Sequence, residues 1–191
     1  MGRPIVLWAC LFAGSTTGPA EVAEAKVLHS KEGAFQLAFP EAESVEPLHL
    51  FLEDAQEEEI ERRCGAKVPS RLVTVYVAKR QGQPYALGVI ETHRVRTLSE
   101  TLLVVLDLSG RIAAVHLLAF HEPDEYQPPR AWLRQFERRR LSRDLVVGRD
   151  IAGIAGASLT AQAVTEAIRR ILALFEVVLG PAIPVRPLAG R

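Results

Sequence analysis

Apolar and polar residues alternate through the middle of the chain and shift to a helical period near its end. Arg71 to Lys79 (RLVTVYVAK) alternates in part and is rich in β-branched residues, which predicts a strand. Gln81-Gly82-Gln83-Pro84 is a turn signal, and Tyr85 to Arg96 (YALGVIETHRVR) predicts a second strand with Gly88 as a bulge position. Thr101 to Leu108 and Arg111 to Phe120 predict two more strands around the tight-turn pair Ser109-Gly110. Four strands joined by short turns imply an antiparallel meander, and no segment reads as a βαβ unit. Further on, Val164, Ile168, Ile171, Leu172 and Phe175 recur at helical spacing. They predict a long helix from about Leu159 to Val178 with one buried stripe, ended by Gly180-Pro181. Shorter helices are predicted over Phe51 to Arg63, stopped at Gly65, and over Ala131 to Arg140, with Trp132, Leu133 and Phe136 on one face. His121 to Arg130 reads as a Pro-rich loop. The fold class is therefore α+β: an antiparallel meander sheet flanked by helices, with a long C-terminal helix.

The N-terminal residues follow a different pattern. One positive charge in Met1 to Pro4 precedes an apolar run of nine, Ile5 to Ala13, and small and polar residues lead to Ala23-Glu24-Ala25. This is the order of a secretory signal peptide, and the run is too short to span a bilayer. The expectation is a signal over residues 1–25 with cleavage after Ala25, a domain over 26–179 and a frayed Pro-rich tail over 180–191, with the mature protein periplasmic. Two other readings of the same run are a buried N-terminal strand and a lipoprotein signal with Cys10 as the modified residue. Cleavage removes Cys10 and leaves Cys64 alone, without a partner for an internal disulfide or a cysteine zinc site. Cys64 is expected to be a half-buried thiol.

Charge narrows the function classes. Lys plus Arg and Asp plus Glu are 23 each, so the net charge of zero excludes a polyanion binder held by bulk positive charge, and no nucleic-acid partner is expected. The balance is uneven along the chain. Glu41 to Arg63 is acidic, and seven arginines fall between Arg130 and Arg149. Each stretch is either a solvated or internally paired face or a partner surface; the arginines would suit an acidic partner or a phosphate. His93 and His116 lie on predicted strands and read as structural or exposed rather than as metal ligands. No paired base and nucleophile supports a hydrolase or isomerase, and Gly156-Ala157-Ser158 is not a nucleophile elbow.

The segment Gly153-Ile154-Ala155-Gly156-Ala157-Ser158-Leu159-Thr160 carries the candidate chemistry. Its small residues allow close approach to the backbone, and Ser158 stands at the expected N-cap of the long helix. A helix start offers unbonded N–H groups and the positive end of the dipole, a phosphate site. By itself the pattern reads first as a plain N-cap with glycines for packing.

The order of features extends the reading. Gly156-Ala157-Ser158-Leu159-Thr160, with Ala163-Val164 and Ala167-Ile168-Arg169-Arg170 after it, resembles the Asp-x-x-Ser-Gly-Ala-Thr-x-Thr/Ser segment of the FMN-binding domain family. That family includes the periplasmic flavin-carrying subunits of Rnf and sodium-pumping NADH:quinone reductase complexes. His121-Glu122-Pro123 and Trp132-Leu133-x-Gln135-Phe136 are similar to its upstream loop and aromatic helix, and the resemblance covers roughly Thr74 to Phe175. It implies FMN as cofactor, covalent or non-covalent, in an electron carrier or redox subunit with a membrane redox partner. Where attachment is covalent, it implies a flavin transferase that joins FMN through a phosphoester. The matching acceptor is Ser158, with Thr160 as the fallback hydroxyl. Backbone N–H groups from Ser158 to Ala161 would hold the phosphate, helped by Arg130 or Arg134. Glu122 and Trp132 would shape the pocket wall. The chain departs from the motif at Ala152, where the family has Asp, and at Ala155, where it has Ser; Asp150 lies two residues before the first. A cofactor-free interaction protein on the same fold is the alternative.

Overall fold

A computed structural model describes residues 26–28 and 30–182. The expected export signal, Cys10 and the tail from 183 lie outside the described residues. The strands are β1 (Lys26–Val27), β2 (Ser44–Phe51), β3 (Leu72–Arg80), β4 (Gln83–Arg94), β5 (Ser99–Asp107) and β6 (Ile112–Phe120). The helices are α1 (Lys31–Ala38), α2 (Asp54–Cys64), α3 (Arg130–Leu133) and α4 (Ser158–Leu174). All strand pairs are antiparallel, in the spatial order β1-β6-β5-β4-β3-β2. The meander is thus five strands, β2 to β6, with β1 paired to the end of β6.

The meander is one strand longer than its sequence predicts. β2 (SVEPLHLF) lies at the sheet edge and keeps most of its side chains exposed, so it lacks clean alternation. Pro47 is tolerated there because an edge strand can spare one N–H. Gly88 is not a bulge: it pairs in register with Tyr76 and Val105, and the register of β3 shifts instead between Ala78 and Lys79. Gly88 leaves room for the Phe39 ring, since a Cβ there would stand 2.8 Å from Phe39 Cζ.

The two sheet faces are covered differently. Ala34 and Phe39, with Phe35 beside them, pack on Ala78, Ala86, Leu103, Val105 and Leu118. The other face meets α2 and α4, where Val75, Leu87, Leu102 and Val104 cluster with Val164, Ala167, Ile168 and Ile171. Both faces of central β5 are buried, so Leu102 to Leu106 reads as an unbroken apolar run. All five residues of the predicted α4 stripe are buried. Gly180-Pro181 does not end that helix. A π-turn over Phe175–Leu179 continues it into Gly180–Ala182, and the Gly180 N–H donates to the Phe175 carbonyl.

Two neighbouring arginines fix α4 against the rest. Arg169 Nε donates to the Cys64 carbonyl at 3.0 Å, and its Nη1 donates to those of Ser142 at 2.7 Å and Leu145 at 3.3 Å. It thereby caps the C-terminus of α2, whose last carbonyls lack intrahelical donors. Arg170 forms a two-nitrogen ion pair with Glu91 of β4, both side chains 12% exposed. Cys64 is more enclosed than expected, 3% exposed, with Sγ donating to the Ala66 carbonyl.

The Ser109-Gly110 turn is held by Asp107, whose Oδ1 accepts from the N–H groups of Ser109 and Arg111. Gly110 has φ of 80°, and a Cβ there would meet Phe175 Cε1 at 2.4 Å. Gly110→Ala combines a left-handed penalty with overpacking, and is expected to cost about 2–4 kcal/mol in urea unfolding.

Candidate functional site

The start of α4 has no side-chain cap. Ala157 occupies the N-cap position with φ −127° and ψ 45°, and Ser158 is already the first helical residue. The expectation of a Ser158 cap is therefore corrected: the turn through Gly156, φ 78°, brings the chain into the helix one residue early. The first intrahelical bond runs from the Ala161 N–H to the Ala157 carbonyl. The unbonded donors are thus those of Ser158, Leu159 and Thr160, and Ala161 drops out of the expected set.

These groups line a cavity of about 270 Å³ with Gly156, Ala157, Arg96 and Tyr126. Five of the sequence-predicted site residues, Gly156, Ala157, Ser158, Leu159 and Thr160, come together here. The two hydroxyls differ. Ser158 is exposed, whereas Thr160 is 1% exposed and its Oγ1 has no hydrogen-bond partner. A buried hydroxyl left unpaired costs about 1–3 kcal/mol.

Glu122 and Trp132 are not on the cavity wall; each supports it from behind. Glu122 Oε1 accepts from the N–H groups of Arg96 (3.0 Å), Thr97 (2.7 Å) and Leu98 (2.8 Å), and so closes the β4–β5 turn. That turn presents Arg96, whose guanidinium carbon lies 4.8 Å from the centroid of the Tyr126 ring. Burial raises the Glu122 carboxyl, and the N–H groups of Leu98, Thr97 and Arg96 outweigh it, holding the pKa below the ordinary 4.5. Trp132 Nε1 donates to the Ala152 carbonyl at 2.6 Å, and the Ala152 N–H donates to Gln135 Oε1 at 2.9 Å. One short segment thus grips both backbone groups of the residue that stands where the resembled motif has Asp. The sequence predicts helix over Ala131 to Arg140, but α3 gives way to a 3₁₀ turn at Arg134–Phe136 and ends before Arg138, whose φ is 64°. The short turn keeps Trp132 and Gln135 close to Ala152.

Arg130 and Arg134, the expected phosphate contacts, do not line this cavity. Arg130 lines a separate one of about 370 Å³ beside Val115, Pro128 and Leu133. Arg96 is the arginine that lines it. It and Tyr126 escaped the sequence reading because they enter through a turn and a loop far from the motif. The one available signal was the Glu122 motif, which the fold joins to the Arg96 turn.

A second polar group lies beneath α4. His93 and Glu100 face each other in β4–β5 register with Nε2 and Oε2 3.4 Å apart, and neither side chain makes a hydrogen bond. Burial pushes the Glu100 carboxyl up, and His93 offsets that only in part. Among the described residues no group of three His, Cys, Asp or Glu could hold a metal ion, and no helix is long and apolar enough to cross a membrane. No protein-family model and no curated protein matches the chain.

The two carboxylates give opposite pH signatures. Glu122 is lowered on folding, so its stabilisation is present at neutral pH and lost as the pH falls through its folded pKa. Glu122→Gln should reduce stability at pH 7 by about 1–3 kcal/mol and flatten the acid limb of Tm against pH. Glu100 is raised, so stability is lost as the pH rises through its folded pKa. Glu100→Gln should raise Tm above that pKa and leave it nearly unchanged at acid pH, as followed by circular dichroism melts.

Proposed function

We propose that this chain is an exported FMN-binding electron-transfer protein whose flavin phosphate lies at the N-terminus of α4. The observation that carries the reading is the uncapped start of α4, where the residues bearing three N–H groups without a helical partner line one cavity with Arg96, beside the buried and unpartnered Thr160 hydroxyl. An anionic oxygen accepting from those N–H groups satisfies donors the helix leaves unbonded, and the helix dipole and Arg96 both favour negative charge there. The residues present therefore fit a phosphate. That the phosphate belongs to FMN rests on the resemblance of Gly156-Ala157-Ser158-Leu159-Thr160 and its flanking segments to the FMN-binding domain family.

Bound FMN would supply reversible electron transfer, which no side chain of this site provides. The chain's own part is to hold and orient. The N–H groups of Ser158 to Thr160 donate, Arg96 balances charge, and Leu159, 48% exposed, offers apolar surface at the mouth. Ser158 exposes its hydroxyl, so a transferase reaches Ser158 and not the buried Thr160. A phosphoester on Ser158 would need a flavin dinucleotide as donor: as the Ser158 Oγ–P bond forms, the pyrophosphate bond breaks, AMP leaves and the hydroxyl proton passes to a base of the transferase. A membrane redox partner would exchange electrons with the bound group.

The test is the absorbance of the exported protein, co-expressed with a flavin transferase and given FMN and flavin adenine dinucleotide, the donor for covalent transfer, before and after acid denaturation. Flavin absorbance is expected in the native protein. Absorbance retained in the acid pellet and lost in Ser158→Ala, but kept in Thr160→Val, identifies a phosphoester on Ser158. Absorbance released into the supernatant identifies FMN held by contacts alone. In that case Arg96→Ala should weaken FMN affinity about 10- to 100-fold, as for one charge-assisted hydrogen bond. A colourless protein under both conditions overturns the reading in favour of the cofactor-free interaction protein.

A further inference from the structure

The fold treats the two charged stretches of this neutral chain differently. The acidic stretch is largely neutralised close by, with Glu43, Glu53 and Glu58 its acids without an ion pair among the described residues. Glu41 pairs with Arg80, Glu46 with Lys79, Asp54 and Glu57 with Arg71, Glu59 with Arg62 and Arg63, and Glu61 with Lys67. The arginine stretch is not. Arg139 pairs with Asp150 and Arg149 with Asp144, while Arg130, Arg134, Arg138, Arg140 and Arg143 are exposed without an ion pair among the described residues. Five arginines against the exposed Glu137 leave positive charge in excess along this segment although the totals cancel.

Backbone bonds hold that charge together. The Arg138 N–H donates to the Ile112 carbonyl at 2.7 Å, and the Ile112 N–H donates to the Arg139 carbonyl at 3.0 Å. Arg111 Nη1 then donates to the Arg138 carbonyl at 3.2 Å. The β5–β6 turn and the 138–140 run are thus locked side by side, bringing Arg111 against Arg138 with Arg138 itself in the left-handed region. Neighbouring like charges repel, and a left-handed non-glycine costs about 1–2 kcal/mol. Both costs fall on one patch.

The patch is also rigid. Trp132, Leu133, Phe136 and Leu145 of the same stretch are buried, and none of the exposed large apolar side chains lies within it. It therefore has no apolar side chain to insert into lipid, and what it offers is a set of guanidinium forks on a fixed backbone. Such forks match carboxylates in bidentate geometry. We infer that the Arg130–Arg149 stretch, together with Arg111, is a docking face for an acidic surface of a partner protein. Recognition by charge without an apolar anchor makes that contact fast, small and salt-sensitive. This inference does not depend on flavin binding.

The test uses the full chain as produced, with poly-L-glutamate as the carboxylate probe and phosphatidylcholine vesicles with and without phosphatidylglycerol as the lipid probe. The wild type is expected to bind poly-L-glutamate, and binding should weaken steadily as salt is raised. The triple reversal R138E/R140E/R143E should lose at least about tenfold in affinity, the scale of one desolvated charge contact. R134E/R140E/R143E leaves the left-handed position untouched and should lose as much, which keeps the result independent of any folding defect at Arg138. R62E/K67E/R94E makes the same change in net charge elsewhere and should retain binding. Absence of wild-type binding, or equal losses in the control and the patch variants, overturns the proposal. Binding to phosphatidylglycerol vesicles with none to poly-L-glutamate also overturns it, in favour of a membrane surface.

Discussion

Two adjacent arginines on α4 set the positions on which the site depends. Arg170 is pinned to Glu91 of β4, and Arg169 is bound to the carbonyl ends of α2 and of the 142–145 loop. At the other end, the first residues of α4 share a cavity with Arg96, five residues beyond Glu91. Five residues of extended chain span about 16 Å, and ten to twelve residues of helix span about 15–18 Å. The two lengths agree, so the helix lies antiparallel to β4 and its start reaches the β4–β5 turn. A slip of one helical turn at Arg170 would carry the N–H groups of Ser158 to Thr160 away from Arg96. The buried ion pair is costly in itself: burial pushes the Glu91 carboxyl up against the pull of Arg170. Its clearest consequence is registry.

The site is built in two layers. The residues that meet the cavity are small or are backbone donors, and they hold little in place. The residues behind them act on main chain. Glu122 gathers three successive N–H groups, and Trp132 with Gln135 takes both polar groups of Ala152. These bonds convert two irregular segments, the 95–98 turn and the run into α4, into fixed parts of the framework. The same contacts show why Ala at 152 is compatible with the local fold. The backbone of that residue is secured by its neighbours, so its side chain is not needed to hold the turn.

Much of the fold was legible because its signals are local. Strands β3 to β6 follow from alternation and turn residues, and the α4 stripe from helical spacing. β2 was not legible. Its side chains are mostly exposed, it contains Pro47, and it is a strand only because β3 supplies a partner. The bulge went to the wrong residue because Gly88 answers to Phe39, a contact across more than forty residues. Within the site, the Gly-Ala-Ser segment could be read because it is contiguous. Glu122 and Trp132 could be singled out, but their bonds to main chain could not, since these depend on which backbone each side chain meets. Arg96 carried no sign at all until the Glu122 contact tied its turn to the cavity.

The start of α4 concentrates costs that the starts of α1 and α2 avoid. α1 caps itself, with Ser30 Oγ accepting from the Gly33 N–H, and α2 has a capping box from Glu53 and Gln56. α4 is the longest of these helices, and it begins with a serine, yet no side chain caps it. Placing that serine one residue earlier would give an N-cap worth about 1 kcal/mol. The fold instead spends the position on Ala157, buries Thr160 with its hydroxyl unpaired, and sets Arg96 beside the exposed donors. Each choice alone reduces stability. Together they share one remedy, an anion that accepts from the donors and balances the guanidinium, and this convergence on one place separates the start of α4 from an ordinary helix end.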